Sequence, residues 1–177
     1  MNSIEFFTEN NEYIIRIKKQ KKYFSQTKFG QYDCFIEFLN NLKFPVLSIQ
    51  CTEKELYKCI QQMNEFSENM TMFPDQELCS VIKLSSNGSF KDYFINLSTD
   101  NLYNNPKDYP SEDDDMILHI LIYEKYLDNQ VTRLYLPITY NFLGVIIYSI
   151  YSILEDIPYL NDINNEFIDE FLKGELY

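Results

Sequence analysis

Asn87-Gly88 stands in a short polar stretch flanked by two runs, residues 78–84 and 90–97, that read as strands. Asn-Gly tolerates the positive φ values that a type I′ turn requires, so this stretch is constrained to a β-hairpin. Ile4, Phe6 and Thr8 alternate with polar neighbours, and so do Tyr13, Ile15 and Ile17, with Glu9-Asn10-Asn11-Glu12 between them as a turn. Residues 116–123 are nearly continuous apolar and residues 131–136 alternate, with Asp128-Asn129 between. They read as a third hairpin whose first strand is buried on both faces, and a helix over 116–127 is the competing reading.

Helical spacing is found in four places. Tyr32, Phe35, Ile36, Phe38, Leu39 and Leu42 recur at a helical period, and Pro45 stops that helix before a buried strand over 46–51. Thr52-Glu53-Lys54-Glu55 is a capping box, because the Thr52 hydroxyl can accept from the Glu55 N–H while the Glu55 carboxylate reaches back. A helix to about residue 67 follows, with Leu56, Cys59, Ile60 and Met63 on one face. Residues 140–155 form a helix apolar nearly all round, hence central. Asn161 or Asp162 caps a last amphipathic helix that turns Phe167, Ile168, Phe171 and Leu172 inward and ends at Gly174. The order ββαβαββββαα predicts an α+β fold, a mostly antiparallel sheet built from hairpins with about four helices packed on it. Neither a linker nor an internal repeat divides the chain, so residues 1–177 are expected to form one globular domain.

The 29 aromatic residues, 15 Tyr and 14 Phe, are enough to fill a sizeable core. Met1 to Glu5 show neither a basic nor an apolar region, so no secretory signal is expected, and the most apolar run, residues 142–154, is short of the roughly 20 residues that span a bilayer. The expected compartment is the cytoplasm. There Cys34, Cys51, Cys59 and Cys79, which include no C-x-x-C pair, are expected to stay reduced thiols without metal.

Charge is distributed unevenly. Residues 1–60 carry 9 Lys/Arg against 7 Asp/Glu, whereas residues 61–177 carry 6 against 20, for a formal total of −12. An imbalance of this kind repels nucleic acid and anionic membrane and attracts basic protein surfaces. The most conspicuous acidic run is Glu112-Asp113-Asp114-Asp115, preceded by Asp100 and Asp108 in a long polar stretch that also holds Tyr103 and Tyr109, Pro106 and Pro110. Long loops inside compact domains are often functional. The run reads as a solvated loop, as an acidic recognition surface, or as a metal site. Four consecutive acids point in different directions and no calcium-loop spacing surrounds them, which disfavours the last. The interleaved tyrosines favour recognition, since they offer contact area at small entropic cost.

Little else suggests chemistry. His119 is the one imidazole, set in an apolar run with neither an orienting group nor a nucleophile at a recognisable spacing. Arg16, Lys18, Lys19, Lys21 and Lys22 form the one basic cluster, read as a protected sheet edge or a solvated face, or as a contact to an acidic partner or a second copy. The four glycines are isolated, so no phosphate-cradling loop is present. No catalytic residue, no metal ligand and no cofactor is assigned.

A small, acidic, aromatic-rich, single-domain profile without a catalytic motif resembles that of bacterial immunity proteins. Those cytosolic inhibitors protect a cell from a nuclease toxin of its own contact-dependent or polymorphic toxin system. The resemblance implies a non-enzymatic toxin inhibitor. A nuclease must be basic to hold its substrate, and an opposing acidic surface gains speed and specificity against it. The expected toxin-binding residues are Asp100, Tyr103, Asp108, Tyr109, Glu112, Asp113, Asp114 and Asp115. The expected partner is a basic protein, with no direct nucleic-acid or membrane contact. The alternatives are an interaction module or adaptor, a nucleic-acid mimic, and an enzyme of unfamiliar type.

Overall fold

The computed structural model describes residues 3–21, 32–85, 91–99 and 117–157, together with Phe171. Strands β1 (Ser3–Phe7), β2 (Ile14–Lys21), β3 (Tyr32–Leu39) and β4 (Pro45–Thr52) lead into helix α1 (Glu53–Met72). Strands β5 (Cys79–Ser85), β6 (Lys91–Ser98), β7 (Ile117–Tyr126) and β8 (Asn129–Thr139) lead into helix α2 (Tyr140–Leu154). All pairings are antiparallel between sequential neighbours, giving two four-stranded meanders in the orders β1-β2-β3-β4 and β5-β6-β7-β8. One unit, a meander followed by a helix, therefore occurs twice. The join is alike in both halves: Thr52 and Thr139 each end a strand in extended backbone, φ −84° and ψ 161°, and their hydroxyls accept from the N–H three residues on.

The expectation of about four helices on a single sheet is corrected. The fold is α+β, but it has two antiparallel sheets and, among the described residues, two helices. Residues 32–39, expected as helix, are strand β3. Their apolar positions satisfy both periods, because Cys34, Ile36 and Phe38 also line one face of a strand. No capping residue precedes them, and pairing with β2 on one side and β4 on the other decides the matter. The helix expected over 161–173 lies outside the described residues except for Phe171, which is helical, buried, and packed edge-on against Tyr148 with ring centroids 5.3 Å apart.

The three expected hairpins are present. Ile4 pairs with Ile17 and Phe6 with Ile15 in the first. Ser85 pairs with Asp92 in the second, whose expected Asn87-Gly88 turn lies outside the described residues. Tyr126 pairs with Asn129 in the third, so the strand reading of 116–123 holds from Ile117 onward, Met116 lying outside the described residues, and the helix alternative over 116–127 fails. Leu127 at that tip takes φ 52°. Strand β7 buries Leu118, Ile120 and Ile122 fully on one face, while the other face is only half covered. Strand β4, expected as fully buried, also alternates, with Leu47, Ile49 and Cys51 inward.

The inner faces of both sheets and the apolar sides of both helices share one core. α1 presents a single stripe, Leu56, Cys59, Ile60, Met63, Phe66 and Met70, whereas α2 is buried nearly all round. Each helix packs on the other and on both sheets: α1 on β3, β4 and β5, and α2 on β1, β2 and β8. Carboxylates reinforce these joints. Glu55 completes the capping box through Thr52 N–H at 3.1 Å, and its other oxygen accepts from the Ser85 N–H and hydroxyl at 3.0 Å each. Glu9, in the β1–β2 turn, accepts from the Thr139 N–H at 2.7 Å and hydroxyl at 2.8 Å. No described helix is long and apolar enough to cross a membrane.

Candidate functional site

The two carboxylate joints fix which ends of the sheets lie together. Glu55 ties the Thr52 end of the first sheet to the Ser85 end of the second. Glu9 ties the opposite ends, the turn after Phe7 and the junction where Thr139 pairs with Ile117. The register Phe7–Ile14–Leu39–Pro45 sets the β3–β4 turn at this second end as well. α1 starts at the first end and finishes at the second, beside Leu78 and Thr99.

All eight expected toxin-binding residues, Asp100, Tyr103, Asp108, Tyr109, Glu112, Asp113, Asp114 and Asp115, lie outside the described residues. The chain leaves for that segment after Thr99 and returns at Ile117, and both anchors sit at the second end.

That end is apolar as well. Among the described residues, Phe7, Leu42, Phe44, Val46, Met72 and Phe73 are six of the eleven exposed large hydrophobic ones, with Leu42 77% and Phe44 64% exposed. Scattered exposed apolar residues need no explanation, and the opposite end carries Tyr57, Tyr126, Leu127 and Val131; what sets this end apart is how the β3–β4 turn displays its two. Leu42 and Phe44 are held out by a well-built turn. Asn40 Oδ1 accepts from the Leu42 N–H at 3.0 Å and the Phe44 N–H at 2.9 Å, and the Asn40 N–H donates to the Phe44 carbonyl at 2.9 Å. Lys43 takes φ 63° and its ammonium meets Glu5 at 3.1 Å, which pins the turn to β1. Most turns at such positions are polar, so two large apolar side chains on a fixed backbone suit a docking role.

A cleft of about 280 Å³ opens between the last turn of α1 and the start of the second sheet. Met70, Phe73, Leu78 and Ile117 supply its apolar walls, and Asp75, Glu77 and Thr99 its polar ones. Phe73 to Gln76 is a tight turn closed by Gln76 N–H to Phe73 carbonyl at 3.1 Å, with Pro74 in the position that favours its fixed φ. Thr99 fastens the far wall: its N–H donates to the Leu78 carbonyl at 3.0 Å, and its hydroxyl accepts from the Leu78 N–H at 2.7 Å.

The remaining candidates are structural. Arg16 and Lys18 of the basic cluster are not at a sheet edge, since β1 and β3 pair with β2 on either side there; Lys19 and Lys21 lie past the described pairing with β1, and Lys22 lies outside the described residues. Arg16 bridges Glu5 at 2.8 Å and Glu37 at 3.2 Å, Lys18 meets Glu37 at 3.0 Å, and Lys19 turns into the core. Lys43 and Arg16 beside Glu5 hold its carboxyl below the usual carboxylate range. His119 is half-buried on the outer face of β7, stacked on Tyr135 with centroids 5.6 Å apart and sharing a hydrogen bond with its hydroxyl. Cys34 and Cys51 are direct cross-strand partners, and burial pushes the Cys34 thiol up to about 12 and the Cys59 thiol likewise. Among the described residues no group of His, Cys, Asp or Glu side chains could hold a metal ion.

No protein-family model matches the chain, and no curated protein matches it. The acidic segment was visible in sequence as a charge run. Leu42, Phe44 and Phe73 were not, because a turn and a helix end show their exposure only in three dimensions; the one available signal was apolar residues beside Asn40-Asn41 and Pro74.

Proposed function

We propose that this chain is a non-catalytic, cytoplasmic inhibitor of immunity type that binds and neutralises a basic nuclease toxin through the end of the molecule carrying the β3–β4 turn and the α1 cleft. The supporting observation is that exposed apolar side chains, Phe7, Leu42, Phe44, Met72 and Phe73, share the end where the acidic segment leaves and re-enters the fold. Apolar anchors ringed by charge are the usual anatomy of a protein interface. The acidic excess of residues 61–177 suits a partner that is basic because it holds nucleic acid. In this reading Asp100, Asp108, Glu112, Asp113, Asp114 and Asp115 steer association, and Tyr103 and Tyr109 add packing.

The test is neutralisation. The gene adjacent to this one is expected to encode a protein ending in a basic nuclease domain. That domain should be lethal when expressed alone, harmless when co-expressed with this chain, and co-purified with it. A neighbouring nuclease that kills equally well in the presence of this chain would end the inhibitor reading.

A further inference from the structure

We propose that the α1 cleft is a receptor for one long basic side chain, a lysine or arginine displayed by the protein partner. The proposal deepens the inhibitor reading and rests on it for the partner's identity. Three features set the chemistry. At about 280 Å³ the cleft is at the small end of ligand sites and has room for one long side chain. Its walls divide by polarity: Met70, Phe73, Leu78 and Ile117 offer apolar surface to an alkyl stem, and Asp75 and Glu77 offer two carboxylates to the cationic head. Phe73 adds a partly exposed ring, which attracts a guanidinium or ammonium through its π face.

The carboxylates are available. Several acidic side chains of the fold are engaged, Glu5 and Glu37 by Arg16, Glu55 by Ser85, Glu124 by Arg133, and Glu9 by Thr139. Asp75 and Glu77 are exposed and take no part in those ion pairs or hydrogen bonds. They stand on fixed backbone, the Pro74 turn and the Leu78–Thr99 clasp, so little ordering cost falls on binding. An anion would be repelled here, and a wholly apolar group would leave both carboxylates partly desolvated without a partner. A cation on an aliphatic stem satisfies every wall.

Amide NMR titration of the intact chain with N-acetyl-arginine N-methylamide decides the matter, with the citrulline analogue as its uncharged isostere. Shifts should concentrate at Phe73, Asp75 to Leu78, Thr99 and Ile117, with a dissociation constant on the order of millimolar. The citrulline analogue should bind at least about fivefold more weakly, and so should the arginine ligand to the Asp75→Asn/Glu77→Gln variant, as loss of two exposed ion pairs implies. Both positions are exposed, and thermal unfolding of the variant should match the parent. Absent or scattered shifts with the arginine ligand would overturn the proposal, and so would equal binding of citrulline. The titration needs no toxin. Its failure removes this receptor and leaves the inhibitor reading intact, whereas a failed neutralisation assay leaves the receptor without its natural ligand.

Discussion

Lys19 extends from the inner face of β2 and donates to the carbonyl oxygen of Leu154, 3.3 Å away, at the last residue of α2. The same ammonium lies 3.3 Å from the Asp156 carboxylate. α2 has no basic residue in its own last turn and no acidic residue in its first. Both are supplied by the β1–β2 hairpin: Lys19 at the C-terminus, and Glu9 at the N-terminus through Thr139. Opposite charges at the two ends complement the helix macrodipole, and the buried lysine escapes an unpaired charge by this contact. Lys19→Met keeps the stem but removes the donor. It should lower unfolding stability by about 1–2 kcal/mol. In urea the midpoint should fall with the slope unchanged; an unaltered midpoint would show that the contact contributes nothing.

Glu55 has a double position, capping α1 and holding Ser85, so its loss should cost more than a cap alone. Glu55→Ala is expected to destabilise by about 1.5–3 kcal/mol, against about 1 kcal/mol for removing a helix cap in general. Ser85→Ala alone should cost only a fraction of that, because the backbone N–H still reaches the carboxylate. Comparing the two by thermal unfolding separates capping from the link between sheets.

Acid should weaken the fold through Glu5 and Glu124. Arg133 and Lys91 hold the Glu124 carboxyl below the usual range, as Lys43 and Arg16 do for Glu5. A depressed carboxylate contributes stability that is fully present above its unfolded value of about 4.3, and that is lost as pH falls through its folded value. The Glu5→Gln/Glu124→Gln variant should therefore be less stable than the parent at pH 7, and the difference should shrink steadily below pH of about 4. Stability curves that stay parallel down to acid would contradict the two ion-pair assignments.

How far the sequence disclosed the fold depended on which signals were local. The Thr52–Glu55 capping box, the three hairpins and the position of α2 all rest on contacts within a few residues, and each is found where the pattern put it. Residues 32–39 failed because apolar side chains at Phe35, Ile36, Phe38 and Leu39 fit both periods, and only pairing with β2 and β4 distinguishes them. The division into two sheets was likewise hidden, since no local pattern decides whether β4 and β5 pair, and in the fold they touch without pairing. Lys19 looked like its neighbours in the basic cluster. Its inward turn follows from strand alternation, which places Ile15, Ile17 and Lys19 on one face.

Thiol reactivity should divide three to one. Cys34, Cys51 and Cys59 are buried with thiols pushed up by desolvation, whereas Cys79 is exposed near the start of β5. The thiolate is the reactive species, so the buried three are doubly protected. Ellman's reagent should modify one thiol quickly in the native protein and four in denaturant. Cys79→Ser should abolish the fast phase; a fast phase surviving that change would place a second cysteine at the surface.

The division of labour at the proposed interface should show in rates. Distant rim charges act on encounter, whereas packed apolar anchors act on dissociation. With the toxin identified by the neutralisation assay, a variant carrying Glu112→Gln, Asp113→Asn, Asp114→Asn and Asp115→Asn should associate more slowly at low salt, with a flatter salt dependence and little change in dissociation. Leu42→Ser and Phe44→Ser should do the reverse. Each removes an exposed side chain from a turn whose bonds run through Asn40, so folding should be unaffected while dissociation speeds up, by on the order of 1–2 kcal/mol for a side chain buried in the complex. Surface plasmon resonance at two salt concentrations measures both effects. If the apolar variants bind like the parent while the acidic variant does not, the contact is electrostatic and lies away from the β3–β4 turn. If all of them bind like the parent, the toxin does not engage this end of the molecule.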